Sequence, residues 1–193
     1  MAFFTVDQVR AAALDLRTRT RKSDNELLRE ARDTAREQFD LFLSHSSRDK
    51  TLVLGAKALL ERRGLSVYID WIDDGDLDRA VVDRARAELL RRRMGQCDWL
   101  FYAHTPNAAL SRWCPWELGY FDGLHRPERR VLVLPILEAG QSYKGQEYLA
   151  LYDTVDPQAW TKPPSDRRRP VGSEEARFLA ERLGMMRRPG TFL

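Results

Sequence analysis

Four short apolar runs constrain this chain more than any other feature: Phe39–Ser44, Val67–Trp71, Asp98–Ala103 and Arg130–Leu137. The last contains the longest uncharged apolar stretch, Val131–Leu137. Each is the length of a strand and far below the roughly 20 residues that span a bilayer. Between them lie segments with helical spacing. Asp49 to Arg63 places Leu52, Ala56, Leu59 and Leu60 on one face and stops at Gly64; Val81 to Met94 stops at Gly95; Pro115 to Leu124 follows. Near-continuous apolar strands alternating with helices predict a parallel sheet covered on both faces, an α/β fold. Thr154-Val155-Asp156 supplies an expected edge strand, giving five. Tyr143 to Leu151 reads as a short helix.

The flanks differ in character. Residues 5 to 38 read as two helices with no strand signal: Val6, Val9, Ala13 and Leu16 share one stripe, and Ser23 to Glu26 forms a capping box. Leu28, Ala31 and Ala35 continue the stripe, which suits packing on the following domain or on a partner. After Trp160 the chain turns to Lys162-Pro163-Pro164 and Asp166-Arg167-Arg168-Arg169-Pro170, a linker, before a short helix at Ser173–Leu183. The expected organisation is therefore a helical extension over 1–38, a domain over 39–160 and a linker with a short helix over 161–193.

Composition removes several classes. With 43% hydrophobic and 32% charged residues, the 193-residue chain supports a packed core and excludes global disorder. Two cysteines, Cys97 and Cys114, make no disulfide framework, and no charged start leads into an apolar leader, so a cytoplasmic location is expected. Arginine provides 27 of the 32 basic residues, a composition suited to phosphate, but 29 acids leave a net charge of only +3 and a weak field toward nucleic acid.

In open α/β sheets ligands bind beyond the carboxyl ends of the strands. Here those ends carry Ser44-His45-Ser46-Ser47-Arg48, the acidic loop after Trp71, His104-Thr105-Pro106-Asn107, and Ser111 to Glu117. Ser46 and Ser47 open a helix, with Asp49 as a capping-box partner; the same helix start, with Arg48, would also seat a phosphate. His45 at a strand end suits an ordinary hydrogen-bonding role. No metal site is expected: an EF-hand pattern anchored on Asp70 fails at Ile72 and Val81, and no His/Cys cluster has zinc spacing. Neither GxGxxG nor a Walker loop occurs.

Glu117 is the candidate catalytic residue. Pro115 fits a first helical turn, and Trp113 and Trp116 flank the carboxylate. An ionised carboxylate between aromatic walls suits cleavage of an N-glycosidic bond through an oxocarbenium-like transition state. A cationic leaving group, such as the nicotinamide of NAD, needs no general acid. On chemistry alone, a dipole-matched glutamate at a helix start beside core tryptophans is the simpler reading.

Two motifs in this order resemble a TIR (Toll/interleukin-1 receptor) domain on a flavodoxin-like frame, over roughly Phe39 to Trp160. They are Phe39-Asp40-Leu41-Phe42-Leu43-Ser44-His45-Ser46-Ser47-Arg48-Asp49 and Ser111-Arg112-Trp113-Cys114-Pro115-Trp116-Glu117-Leu118, the latter similar to the family's W-C-x-x-E signature. The resemblance implies a catalytic Glu117, Trp113 by the active site, and Ser44, His45, Ser46 and Arg48 near the nucleotide. NAD would be the substrate, with no separate cofactor. Ile72 to Leu77 matches the family's BB loop, which often completes a neighbour's site, but it is unusually acidic and lacks the customary proline. A compact TIR chain resembles bacterial antiphage proteins. Those of Thoeris-type systems convert NAD into a cyclic ADP-ribose-like signal for a separate effector. The expected activity is thus an NAD glycohydrolase or cyclase acting through self-association. The alternatives are a non-enzymatic TIR adaptor and a nucleoside deoxyribosyltransferase-like enzyme.

Overall fold

A computed structural model describes residues 3–32, 36–70 and 84–162 of the chain. The first compact unit runs from Met1 to Thr161; the second, Lys162–Leu193, lies almost entirely outside the described residues, as do the expected helix at Ser173–Leu183 and the acidic loop Ile72–Leu77.

Five parallel strands form the frame: β2 (Phe39–Ser44), β3 (Val67–Tyr68), β4 (Cys97–His104), β5 (Val131–Leu137) and β6 (Asp153–Thr154). Their order across the sheet is β3-β2-β4-β5-β6, the flavodoxin-like arrangement. The register is fixed by pairs such as Leu43 with Phe101 and Phe101 with Leu132. Side chains alternate between two cores. Leu41, Leu43, Phe101, Ala103, Leu134 and Ile136 enter one, and Phe42, Leu100, Tyr102, Val131 and Val133 the other. Burial on both faces explains why these strands read as continuous apolar runs.

The N-terminal segment departs from the expectation of helices alone. Phe4–Thr5 is a two-residue strand, β1, parallel to β5 through Phe4 with Ile136 and Thr5 with Leu137. The outer edge of β5 is therefore shared: β6 takes Leu132 and Val133, and β1 takes the carboxyl end. A pair this short carries no periodic signal, which is why the sequence hides it. Thr5 then closes a capping box with Gln8 and starts α1 (Val6–Thr20). Of the two partners open to this segment, it takes its own domain: Val9, Ala13 and Leu28 are fully buried with Val53, Leu54 and Leu60 of α3 (Lys50–Glu61). Close approach is possible because α3 carries Gly55, where a Cβ would lie 1.9 Å from the Val9 carbonyl oxygen. α2 (Asp24–Arg32) is tied in by Asp24, which accepts from Arg17 and from Thr51.

The opposite face holds α4 (Arg84–Gly95) and α5 (Trp113–Leu124). α5 begins two residues before the expected Pro115. The Ser111 hydroxyl accepts from the amides of Trp113 and Cys114, both at 3.3 Å, and Pro115 sits within the first turn, where no intrahelical donor is lost. The expected helix at 143–151 is instead a 3-10 turn over Glu147–Leu151. Among the described residues no helix is long and apolar enough to cross a membrane.

Candidate active site

The topological switch point of this sheet lies between β2 and β4, from which the chain connections leave in opposite directions across the strand order. Ser44 ends β2 beside Tyr102 of β4. It shares the strand parity of Phe42, so its side chain emerges on the face that α5 covers. There Ser44 Oγ donates to Glu117 Oε2 at 2.6 Å, with Ser44 1% and Glu117 6% exposed. The two residues are distant in sequence and meet only because β2 and α5 pack at the switch point.

Because α5 starts at Trp113, Glu117 is its fifth residue and lies beyond the first turn. The expected support from free helix-start amides is replaced by the Ser44 hydroxyl. A donor held against a carboxylate in a buried site stabilises its negative charge more than the same contact in water. The thiol of Cys114 reports that environment. Burial first, and the Glu117 charge next, push it up to about 12, so it stays protonated and is no nucleophile at neutral pH.

Trp113 is half-buried at the mouth of α5, its ring edge-on to Trp116 at 5.4 Å. Trp116 stacks on Tyr120 at 5.7 Å, and the Arg91 guanidinium sits 5.6 Å from both rings. This ladder ties Trp116 and Tyr120 of α5 to Arg91 of α4 and holds Trp113 edge-on at its end.

The remaining residues of the β2–α3 loop fill more ordinary roles. His45 Nδ1–H donates to the Leu43 carbonyl at 2.7 Å. Ser46 is buried and caps a 3-10 turn at Ser47–Asp49 by accepting from the Arg48 amide. Asp49, expected as a capping-box partner, crosses to the β4 loop instead, accepting from Thr105 Oγ1 at 2.5 Å and Asn107 Nδ2 at 2.7 Å. Sequence reasoning misses this tie, whose only signal is a polar cluster at two strand ends. Arg48 is exposed and lines a neighbouring cleft that neither Glu117 nor Trp113 lines. Among the described residues no group of His, Cys, Asp or Glu could hold a metal ion.

A doubly wound parallel sheet with a buried, hydroxyl-bonded carboxylate at its switch point defines an α/β protein of the flavodoxin-like class. The chain belongs to the TIR domain family, whose model matches residues 41–168. It is 49% identical over 119 residues to the probable 3' cyclic ADP-D-ribose synthase ThsB' of Bacillus cereus (strain MSX-D12), covering 61% of this chain and 60% of that protein. It is 30% identical over 83 residues to the putative cyclic ADP-D-ribose synthase TIR2 of Cytobacillus dafuensis, covering 42% of this chain and 22% of that protein. The matches thus span less than two thirds of the length of either relative.

Proposed function

We propose that this chain cleaves the bond between nicotinamide and ribose in NAD, releasing ADP-ribose or a cyclic ADP-ribose-type product. The observation that carries this reading is the buried Ser44–Glu117 pair at the switch point. As the glycosidic bond breaks, positive charge builds on the ribose; the Glu117 carboxylate faces that charge and lowers the barrier electrostatically. Nicotinamide enters as a cationic group and leaves neutral, so no proton need be delivered to it. Trp113 walls the nicotinamide side, and the electrophilic ribose carbon is then captured by water or by a nucleophile of the same molecule. Ser44 holds the carboxylate, while His45, Ser46 and Arg48 shape the loop against the nucleotide. NAD is substrate, and no further cofactor takes part.

The printed names of both relatives, cyclic ADP-D-ribose synthases, support this class of chemistry. The wider reading rests on the resemblance of the two motifs to bacterial antiphage TIR proteins: the product is a signal to a separate effector in the cytoplasm, and self-association through the TIR domain completes the site. Chromatography of NAD incubated with concentrated protein tests the reading. Loss of NAD with matching release of nicotinamide is expected. Intact NAD together with binding to another TIR domain would instead make the chain an adaptor.

A further inference from the structure

The β2–α3 loop runs between two places in the molecule. Ser44 opens it against the Glu117 carboxylate, and Ser47, Arg48 and Asp49 end it in a cleft of about 1430 Å³ between α1 and the carboxyl ends of β4 and β5. Ser44 and Arg48 are four positions apart, so their Cα atoms lie within about 14 Å of each other. Cys114 links the two places from below. Its thiol is in hydrogen-bond contact with Ser44 and is raised by burial first, by the Glu117 charge next, and also by the charge of Asp49, which lines the cleft. The cleft is larger than the roughly 300–1,000 Å³ of most small-molecule sites, a size that suits a dinucleotide better than a single ring.

Charge in the cleft has one sign. Arg10 of α1, Arg48, and Lys144 after β5 line it from three separate segments, and all three are exposed. Among the described residues none of the three forms an ion pair, whereas Arg17, also lining the cleft, is matched by Asp24. The acids among the described lining residues are Asp49, engaged by Thr105 and Asn107, and Glu138. Three unmatched cations against Glu138 leave the concavity positive, which raises the local concentration of anions. Two of the three are guanidinium groups, whose paired donors match phosphate oxygens.

We propose that this cleft is the diphosphate and adenosine end of the NAD site, with Arg10 and Lys144 joining Arg48 as substrate-binding residues. This inference rests on the function proposed above. The diphosphate of NAD is attached to the 5′ carbon of the reacting ribose, so a ribose at Glu117 sends it along the β2–α3 loop to these cations. Arg10 lies outside residues 41–168, so the N-terminal helix adds a substrate contact that the domain's two motifs do not carry. Its neighbour Val9 is fully buried against α3 while Arg10 lines the cleft, and the docking of α1 thereby sets where the guanidinium stands.

Nicotinamide mononucleotide is the discriminating probe, because it keeps the bond that breaks but carries a single phosphate and no adenosine. Titration calorimetry in a Glu117→Gln background, where the ligand persists, would compare that variant with one also carrying Arg10→Ala and Lys144→Ala. Both added positions are exposed, so the fold should survive, which a thermal melt checks; Arg10→Ala alone should act in the same sense by a smaller amount. NAD binding should weaken about tenfold or more, equivalent to about 1.4 kcal/mol. Nicotinamide mononucleotide should bind more weakly than NAD from the start and lose far less. Equal NAD binding in the folded variants, no NAD binding at millimolar concentration, or the same loss for both ligands would overturn the inference. If wild type leaves NAD intact while the added substitutions still weaken NAD binding, the cleavage reading falls and the cleft stands as a dinucleotide site.

Discussion

Ser44 Oγ and Glu117 Oε2 lie 2.6 Å apart in a buried position, joining the end of the first core strand to the second turn of α5. That one bond connects the opening motif of the domain to its W-C-x-x-E motif. Through it the Ser44 hydroxyl holds one oxygen of the Glu117 carboxylate.

Ser44→Ala should therefore impair turnover more than substrate binding. A hydrogen bond to a charged group is worth about 1.5–3 kcal/mol, and about 1.4 kcal/mol corresponds to tenfold in rate. Turnover should fall about tenfold or more with KM little changed. Ser44→Thr keeps the hydroxyl and should retain more activity. Equal kinetics for Ser44→Ala and wild type would remove Ser44 from the positioning role.

Cys114 gives a prediction for alkaline pH. Its folded-state thiol is pushed up from 9.0 to about 12, chiefly by burial and then by Glu117. The unfolded chain loses that proton near pH 9 while the folded chain keeps it, so the unfolded state binds fewer protons and stability falls as pH rises through this window. The burial-raised phenol of Tyr102 acts in the same direction. Urea titrations at pH 7, 9 and 11 should show a progressive loss, shallower in Cys114→Ala. A flat pH profile in the wild-type protein would contradict this. In the folded state the thiol should also resist alkylation at pH 8.

Elements with a local cause are legible in the sequence, and those with a distant cause are not. β2, β4 and β5 are readable because burial on both faces leaves a continuous apolar run, as in Phe39–Ser44 and Val131–Leu137. Glu117 and Ser44 are each identifiable through their motifs, but their hydrogen bond is not, because it depends on how β2 and α5 pack. The start of α5 is misplaced at Pro115 because the capping is done by Ser111, whose side chain reaches two and three residues forward. β1 is invisible because Phe4 and Thr5 are ordered by the free edge of β5, a non-local cause. Asp49 looks like a local cap, yet its partners Thr105 and Asn107 lie at another strand end.

Gly55 sets how closely α1 lies against α3. A Cβ there would approach the Val9 carbonyl oxygen to 1.9 Å, which backbone cannot absorb without moving the helices apart. Overpacking of this kind costs typically about 1–3 kcal/mol, and about 2–4 °C in melting temperature follows each kcal/mol for a chain this size. Gly55→Ala should lower the melting temperature by several degrees and expose the N-terminal segment to limited proteolysis. Wild-type melting and protease resistance would show that α1 docks less tightly than described.

Under the proposed function, the Glu117 carboxylate held by Ser44 faces the charge that develops as the nicotinamide–ribose bond breaks. Glu117→Gln preserves shape and removes the charge, so its effect isolates the electrostatic contribution. The decisive comparison is the rate of nicotinamide release from NAD by concentrated wild type and Glu117→Gln, with thermal melts confirming equal folding. Removal of a preorganised electrostatic group typically costs about 10²–10³ in turnover. A loss of about 100-fold or more in a folded variant is expected; nicotinamide release by Glu117→Gln at the wild-type rate would contradict the assignment.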